Sequence, residues 1–335
     1  MHNMEKEKKQ CKDLSLRETA RFLKRHDNFI ILTHASPDGD TLGAGYALFY
    51  GLKEIGKIAA VICADVIPGK FKFFVHETDV VPLEGSTVIA VDVAAKGLLG
   101  SLEETFGDIV NLCIDHHISN SRFSDYLCLD ANASATCEII YELLEEMGVN
   151  INTDAANAMY TGIATDTGCF KYSNVTAKTH LIAAKLFEFE IEPAKINKIM
   201  FDTKSRNLLE LERMVLDTAE YHFDNRCIIL SVTAEMQEKT GCSGSELDSI
   251  AVISRCVEGV ICGVSIKQTG AEKFKISLRT YPPLNASEIG KELGGGGHAA
   301  AAGASMNGSL NEIKEKILAV LKPKMEAIDA GISSC

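Results

Sequence analysis

Four short runs in the first half of the chain are apolar without alternation: FIILT from residue 29, IAAVICA (58–64), TVIAVDVA (87–94) and IVNLCID (109–115). A strand with one wet face alternates apolar and polar residues, so runs of this kind must be covered on both faces. Helical patterns separate them, one over roughly 41–55 and another from Ser134 to Met147. Buried strands linked by helices make a parallel sheet with helices on either side, so the spacing predicts an N-terminal α/β domain with a doubly wound, mainly parallel sheet.

Helical periodicity continues through DAANAMYTGIATDTG (154–168) and AKTHLIAAKLFEF (177–189). The stretch KINKIMFDTKSRNLLELERMVLDTAE (195–220) reads as a connecting helix. Strands then return in a different texture, in YHFDNRCIILSVT, GVICGVSIKQTG and KFKISLRTY, the last two spaced for a hairpin. The expected organisation is a first domain over 1–195, a connector over 196–218, and a smaller C-terminal α/β domain with a mixed sheet over 219–335.

Hydrophobic residues at 46% and charged residues at 24% are ordinary globular values. The N-terminus is too charged for a signal peptide, and no run reaches the roughly 18 apolar residues of a membrane span, so no membrane partner and a cytoplasmic location are expected. None of the eleven cysteines sits at C-x-x-C spacing, and several lie inside strand-like runs, which fits reduced, mostly buried thiols. A net charge of −12 argues against a broad grip on long nucleic acid, which is driven by neutralising many phosphates. Residues 219–335 carry 12 Lys and Arg against 14 Asp and Glu, so −10 of that charge falls on the first 218 residues.

The acidic half also places candidate metal ligands directly after its strands. THASPDGD follows FIIL and brings His34, Asp38 and Asp40, TVIAV ends in Asp92, and IVNLCI runs into Asp115, His116 and His117. Asp166 follows in TGIATDTGCF. In a parallel sheet the carboxyl ends of the strands share one edge, where ligands bind. Individually these residues have ordinary readings: Asp40 as a helix N-cap, Asp38 as a turn former, Asp166 as a helix end. Crowded together, carboxylates repel and require cations. Six ligands exceed what one catalytic ion needs, and two ions about 3.5–4 Å apart sharing a carboxylate account for them. Mixed Asp and His ligation suits Mn²⁺ or a similar first-row ion, with Mg²⁺ or Co²⁺ as alternatives.

H-x-x-x-D-x-D (His34, Asp38, Asp40), the strand-end Asp92, D-H-H (115–117) and T-D-T-G (165–168) resemble the four motifs of DHH phosphoesterases. GGGGHAAAAG (294–303), with the preceding SLR (277–279), resembles the associated DHHA1 domain. The likeness spans nearly the whole chain and is nearest to the NrnA-like subgroup, which degrades very short RNA oligomers (nanoRNA) and dephosphorylates 3′-phosphoadenosine 5′-phosphate. It implies that His34 and Asp38 hold one ion, that Asp40, His116 and Asp166 hold the second, and that Asp92 bridges them. It also implies that Asp115 orients a histidine and that His117 contacts the scissile phosphate.

Gly295, Gly296, Gly297 and His298 are expected to let backbone N–H groups approach a phosphate or base. Arg279 would give a forked contact to a terminal phosphate, with Arg255 as a second candidate. Together these expectations describe a metal-dependent hydrolase acting on short oligoribonucleotides and bisphosphorylated nucleotides through a metal-bridging hydroxide, the substrate lying between the domains, with homodimer formation left open. Two other readings share the motifs: a cyclic di-AMP or pApA phosphodiesterase, and a non-catalytic nucleotide sensor.

Overall fold

Six strands build the first sheet: β1 (Lys12–Asp13), β2 (Phe29–Leu32), β3 (Ala59–Ile62), β4 (Thr87–Val91), β5 (Leu112–Asp115) and β6 (Tyr126–Leu129). Their order is β1-β6-β5-β4-β2-β3 and every pairing is parallel. The protein is seen here as a computed structural model describing residues 10–242, 245–297 and 299–331, and it divides into two units between Thr203 and Lys204. Four of the strands are the continuous apolar runs; β6, from the short YLCL segment, has no comparable run to announce it.

Burial on both faces explains why β2, β4 and β5 pair in the middle of the sheet, while β3, with Val61 and Ile62 only partly buried, forms one edge. All four side chains of β2 are at most 2% exposed, each contributing about 1.5–3 kcal/mol by its removal from water. Phe29 and Ile31 pack into one cluster with the helices Gly39–Glu54, Thr136–Met147 and Thr153–Asp166. Ile30 and Leu32 pack into the cluster on the opposite face. The Gly39–Glu54 helix lies close against its neighbours because Gly43 has no side chain; a Cβ there would stand 2.9 Å from Cys137 Sγ and press on the Ala158 carbonyl.

The stretch expected as a connecting helix is interrupted. Pro193–Asn197 is helical, Lys198–Asp202 forms a π turn, Thr203 is extended, and a new helix runs Arg206–Leu216. The sequence reason is Ser205, whose hydroxyl accepts the Leu208 N–H at 2.9 Å and caps a fresh start. Leu208, Leu211 and Val215 then pack with Ile228, Leu230 and Val232, so this helix belongs to the second unit.

That unit holds β7 (Glu220–His222), β8 (Cys227–Val232), β9 (Cys262–Gly270), β10 (Lys273–Thr280), β11 (Gly296–Gly297) and β12 (Ala301–Asn307), ordered β11-β12-β10-β9-β8-β7. The sheet is mixed: β8 and β9 run parallel, and the other pairings are antiparallel. Its second face is covered by the helix Leu310–Asp329 through Ile313, Ile317, Leu321 and Met325. The ten described cysteines are free thiols, and among the described residues no helix is long and apolar enough to cross a membrane.

Candidate metal centre

The carboxyl ends of β2, β4 and β5 lie side by side, with Leu32 opposite Ala90 and Val91 opposite Ile114. The chain beyond each strand therefore opens onto one edge. From β2, His34 turns its Nδ1 to the Ala35 carbonyl at 2.8 Å. A carbonyl only accepts, so Nδ1 carries the proton, and Nε2 faces Asp38 at 3.6 Å and Asp92 at 3.7 Å. Burial opposes a charge on His34, but the hydrogen bond and charge of Asp38 outweigh it and raise its pKa.

Asp38 is the N-cap of the Gly39–Glu54 helix and accepts the N–H groups of Asp40 (3.0 Å) and Thr41 (3.1 Å). The capping role open to Asp40 in the sequence thus falls to Asp38. Asp40, fully buried, is instead clasped by the Thr136 and Cys137 N–H groups at 2.6 and 3.0 Å, the free donors at the start of the Thr136–Met147 helix. Gly39 is helical, and its missing side chain makes room for Thr165. Gly162 similarly makes room for Asp40 itself, whose Oδ1 would lie 2.8 Å from an added Cβ.

Asp92 leaves β4 with φ 58°, a left-handed conformation that aspartate tolerates better than most side chains. It is 3% exposed and accepts the Thr136 hydroxyl at 2.9 Å. Asp115, at the end of β5, takes the N–H groups of His116 (2.8 Å) and His117 (3.2 Å) and the His117 ring Nδ1 (2.8 Å) on one oxygen. His116 places Nδ1 3.1 Å from the Ala133 carbonyl, leaving Nε2 toward Asp166 (3.4 Å) and Asp92 (3.7 Å). Asp166 is the last residue of the Thr153–Asp166 helix.

The result is three groups whose ligand atoms lie within 4.8 Å of one another: His34, Asp38 and Asp92; Asp40, His116 and Asp166; and Asp92, His116 and His117. Burial, followed by the charges of the neighbouring aspartates, pushes Asp92 and Asp166 well above the usual carboxylate range. Burial raises Asp40 as well. The ion-pair partners of Asp38, Asp92 and Asp166 here are imidazoles. Carboxylates this crowded and desolvated, among imidazoles with one free nitrogen each, form a donor set that fits divalent cations.

The second unit carries the remaining candidates. Arg279 sits on β10 between Gly263 and Ala301, with Nη1 3.0 Å from the Leu278 carbonyl. Arg255 lies over the Tyr281 ring at 5.5 Å, with Nε 3.4 Å from its hydroxyl; the sequence offered no signal for Tyr281. Gly295 and Gly297 allow β11 to lie against β12: a Cβ on Gly297 would stand 2.5 Å from the Ala302 Cα, and one on Gly295 2.7 Å from the Ala304 Cα. Gly296 is exposed and faces open space. His298 lies outside the described residues.

Two residues that organise the centre escaped sequence reasoning. Thr136, which binds both Asp40 and Asp92, is legible only as the start of a helix, and its targets are far away in the chain. Asn120, three residues beyond the D-H-H run, donates to Asp115 at 2.7 Å.

The family model "DHH family, N-terminal domain" matches residues 28–163, and "DHHA1 domain" matches residues 227–325. The chain is 32% identical, over 92% of its length and 94% of the relative's, to a Thermus thermophilus protein named bifunctional oligoribonuclease and PAP phosphatase NrnA. A Bacillus subtilis protein of the same name is 26% identical over 86% of this chain and 92% of its own. The crystal structure of an exopolyphosphatase-related protein from Bacteroides fragilis shares the fold, with a TM-score of 0.84 at 24% identity over 93% of this chain and 97% of that one.

Proposed function

This chain belongs to the DHH family and carries a DHHA1 domain, and from that premise we propose that it is a phosphoesterase of short ribonucleotides. It hydrolyses dinucleotides and other very short RNA oligomers to 5′-mononucleotides, and 3′-phosphoadenosine 5′-phosphate to AMP. The observation that carries this reading is the position of Asp92, one buried carboxylate common to a group on the β2 side and a group on the β5 side. The names of the two relatives from Thermus thermophilus and Bacillus subtilis support the substrate class.

In this reading His34 and Asp38 hold one divalent cation, Asp40, His116 and Asp166 hold another, and Asp92 serves both; Mn²⁺ suits the mixed oxygen and nitrogen donors. Such ions supply Lewis acidity: they lower the pKa of water and neutralise charge on phosphoryl oxygens. The protein supplies the placement. His34 and His116 each spend Nδ1–H on a backbone carbonyl, which fixes the ring and presents Nε2. The N–H groups of Thr136 and Cys137 hold Asp40 without competing for its outward lone pairs.

His117, one-third exposed, has its Nδ1 tied to Asp115. In the imidazolium form Nε2 also carries a proton and donates it in a hydrogen bond to a phosphoryl oxygen as charge builds there. Arg279, Arg255 and the exposed backbone at Gly296 are the second unit's candidates for nucleotide contact, and so few positive charges suit short ligands rather than long nucleic acid. The test is a panel: purified protein with Mn²⁺, Mg²⁺ or Co²⁺ on pGpG, pApA, an RNA about 24 nucleotides long and 3′-phosphoadenosine 5′-phosphate. Hydrolysis of the short substrates that a chelator abolishes is expected. Failure on all of them, or equal rates on the long RNA, refutes the proposal.

A further inference from the structure

We propose that Asn120 is a positioning residue, which holds Asp115 so that Asp115 keeps His117 in one tautomer and one orientation. This deepens the proposed function and rests on it for the role of His117. Asn120 lies on the turn after β5, with its backbone N–H 3.0 Å from the His117 carbonyl. Its side chain bonds in two directions. Oδ1 accepts the Arg122 N–H at 2.8 Å, an ordinary Asx turn. Nδ2 donates to Asp115 Oδ2 at 2.7 Å and lies 3.3 Å from the Val93 carbonyl and 3.6 Å from Cys113 Sγ.

The orientation of the amide follows from its partners, since a backbone N–H needs an acceptor while a carboxylate and a carbonyl need donors. Asp115 is fully buried and takes three donors on Oδ1, all from His116 and His117. On Oδ2 the bond from Asn120 is the one in place. Without it, that oxygen would be desolvated and unpaired, and the carboxylate would be free to rotate about its single bond. The Nδ1–H of His117 follows that carboxylate, so a rotated Asp115 releases the ring and the aim of Nε2. Val93 directly follows Asp92, so the same amide also ties the β4 end to the β5 end.

The Asx turn alone makes a different prediction. Aspartate at position 120 accepts the Arg122 N–H as well as asparagine does, so a purely structural role leaves Asn120→Asp nearly neutral. A positioning role makes it harmful, because two carboxylates would then face each other where a donor stood. The experiment compares wild type, N120D and N120A, each loaded with Mn²⁺, for kcat and KM on pApA, with metal affinity by calorimetry. Both variants are expected to lose about 10–100-fold in kcat, typical of groups that orient an active-site residue. KM and metal affinity should stay within about twofold of wild type.

Placed on His117→Ala, the Asn120→Ala change should cost nothing further, because residues that act as a unit are non-additive. Nitrogen-15 NMR of histidine-labelled, metal-free protein should show the His117 Nδ1–H of wild type weakened or lost in N120D. Wild-type kcat in N120D, a parallel fall in metal affinity, or an undiminished loss on the His117→Ala background overturns the inference. If wild type hydrolyses nothing, the proposed function falls while the NMR arm still decides the placement; an unchanged Nδ1–H signal in N120D overturns it.

Discussion

Asp92→Asn should make the metal-free protein more stable while destroying its activity. Asp92 is 3% exposed, and one of its oxygens lies within 4.8 Å of an Asp38 oxygen. Two unit charges at that separation repel by about 3 kcal/mol at an effective dielectric constant of about 20. The Asp38 side chain is 56% exposed, which screens the pair to about 1 kcal/mol. Asp40, Asp166 and Asp115 add to the repulsion, and His34 offsets part of it. A net gain of about 2 kcal/mol on removing the charge corresponds to roughly 4–8 °C in Tm for a unit of this size. The asparagine oxygen still accepts the Thr136 hydroxyl, so no hydrogen bond is lost with the charge.

The pH dependence has a definite sign. A carboxyl whose folded pKa is raised contributes stability below its unfolded pKa and loses that contribution as pH rises through the folded value. Wild type and D92N should therefore melt together near pH 4 and diverge upward from there, the variant being higher. Calorimetry in chelator across pH 4–8 measures this, alongside turnover with Mn²⁺, which should fall to background. A variant less stable than wild type at pH 7.5 refutes the crowding argument, and near wild-type turnover refutes the shared role of Asp92.

Adding Mn²⁺ to wild type should raise Tm, more at pH 8 than at pH 5, because the relief grows with carboxylate ionisation; a pH-independent rise in differential scanning would contradict the raised pKa values of Asp92 and Asp166. Gly162→Ala should cost about 1–3 kcal/mol and most of the activity, since the new methyl presses on Cys137 and Asp40, and urea unfolding with a parallel rate measurement checks both. His117→Ala should lower kcat by about 10²–10⁴-fold with metal affinity intact, whereas loss of metal in calorimetry would make it a ligand instead. Arg279→Ala should raise KM for 5′-phosphorylated dinucleotides well above its effect on unphosphorylated ones; equal effects remove the assigned contact.

Much of this was readable from one-dimensional pattern. Continuous apolar runs must be buried on both faces, parallel strands end on a common edge, and so the acids and histidines after FIIL, TVIAV and IVNLCI had to meet. The same logic gave no notice of β6, whose YLCL run is too short to stand out, nor of the break at Thr203, where one capping serine outweighs a continuous helical pattern. The glycine run shows a similar limit: its composition announces close backbone approach, and Gly295 and Gly297 make that approach to the chain's own strand β12.

Residue types and their order along the chain thus determined four of the six strands, the edge on which they end and the candidate donors there, because burial and strand direction are properties of local sequence. Only the folded chain decided which donors share Asp92, which ring nitrogen each histidine presents, and that Thr136 and Asn120 hold the carboxylates. Those choices depend on distances between residues far apart in sequence: Thr136 reaches Asp40 across 96 positions, and no periodicity encodes a hydrogen bond of that span.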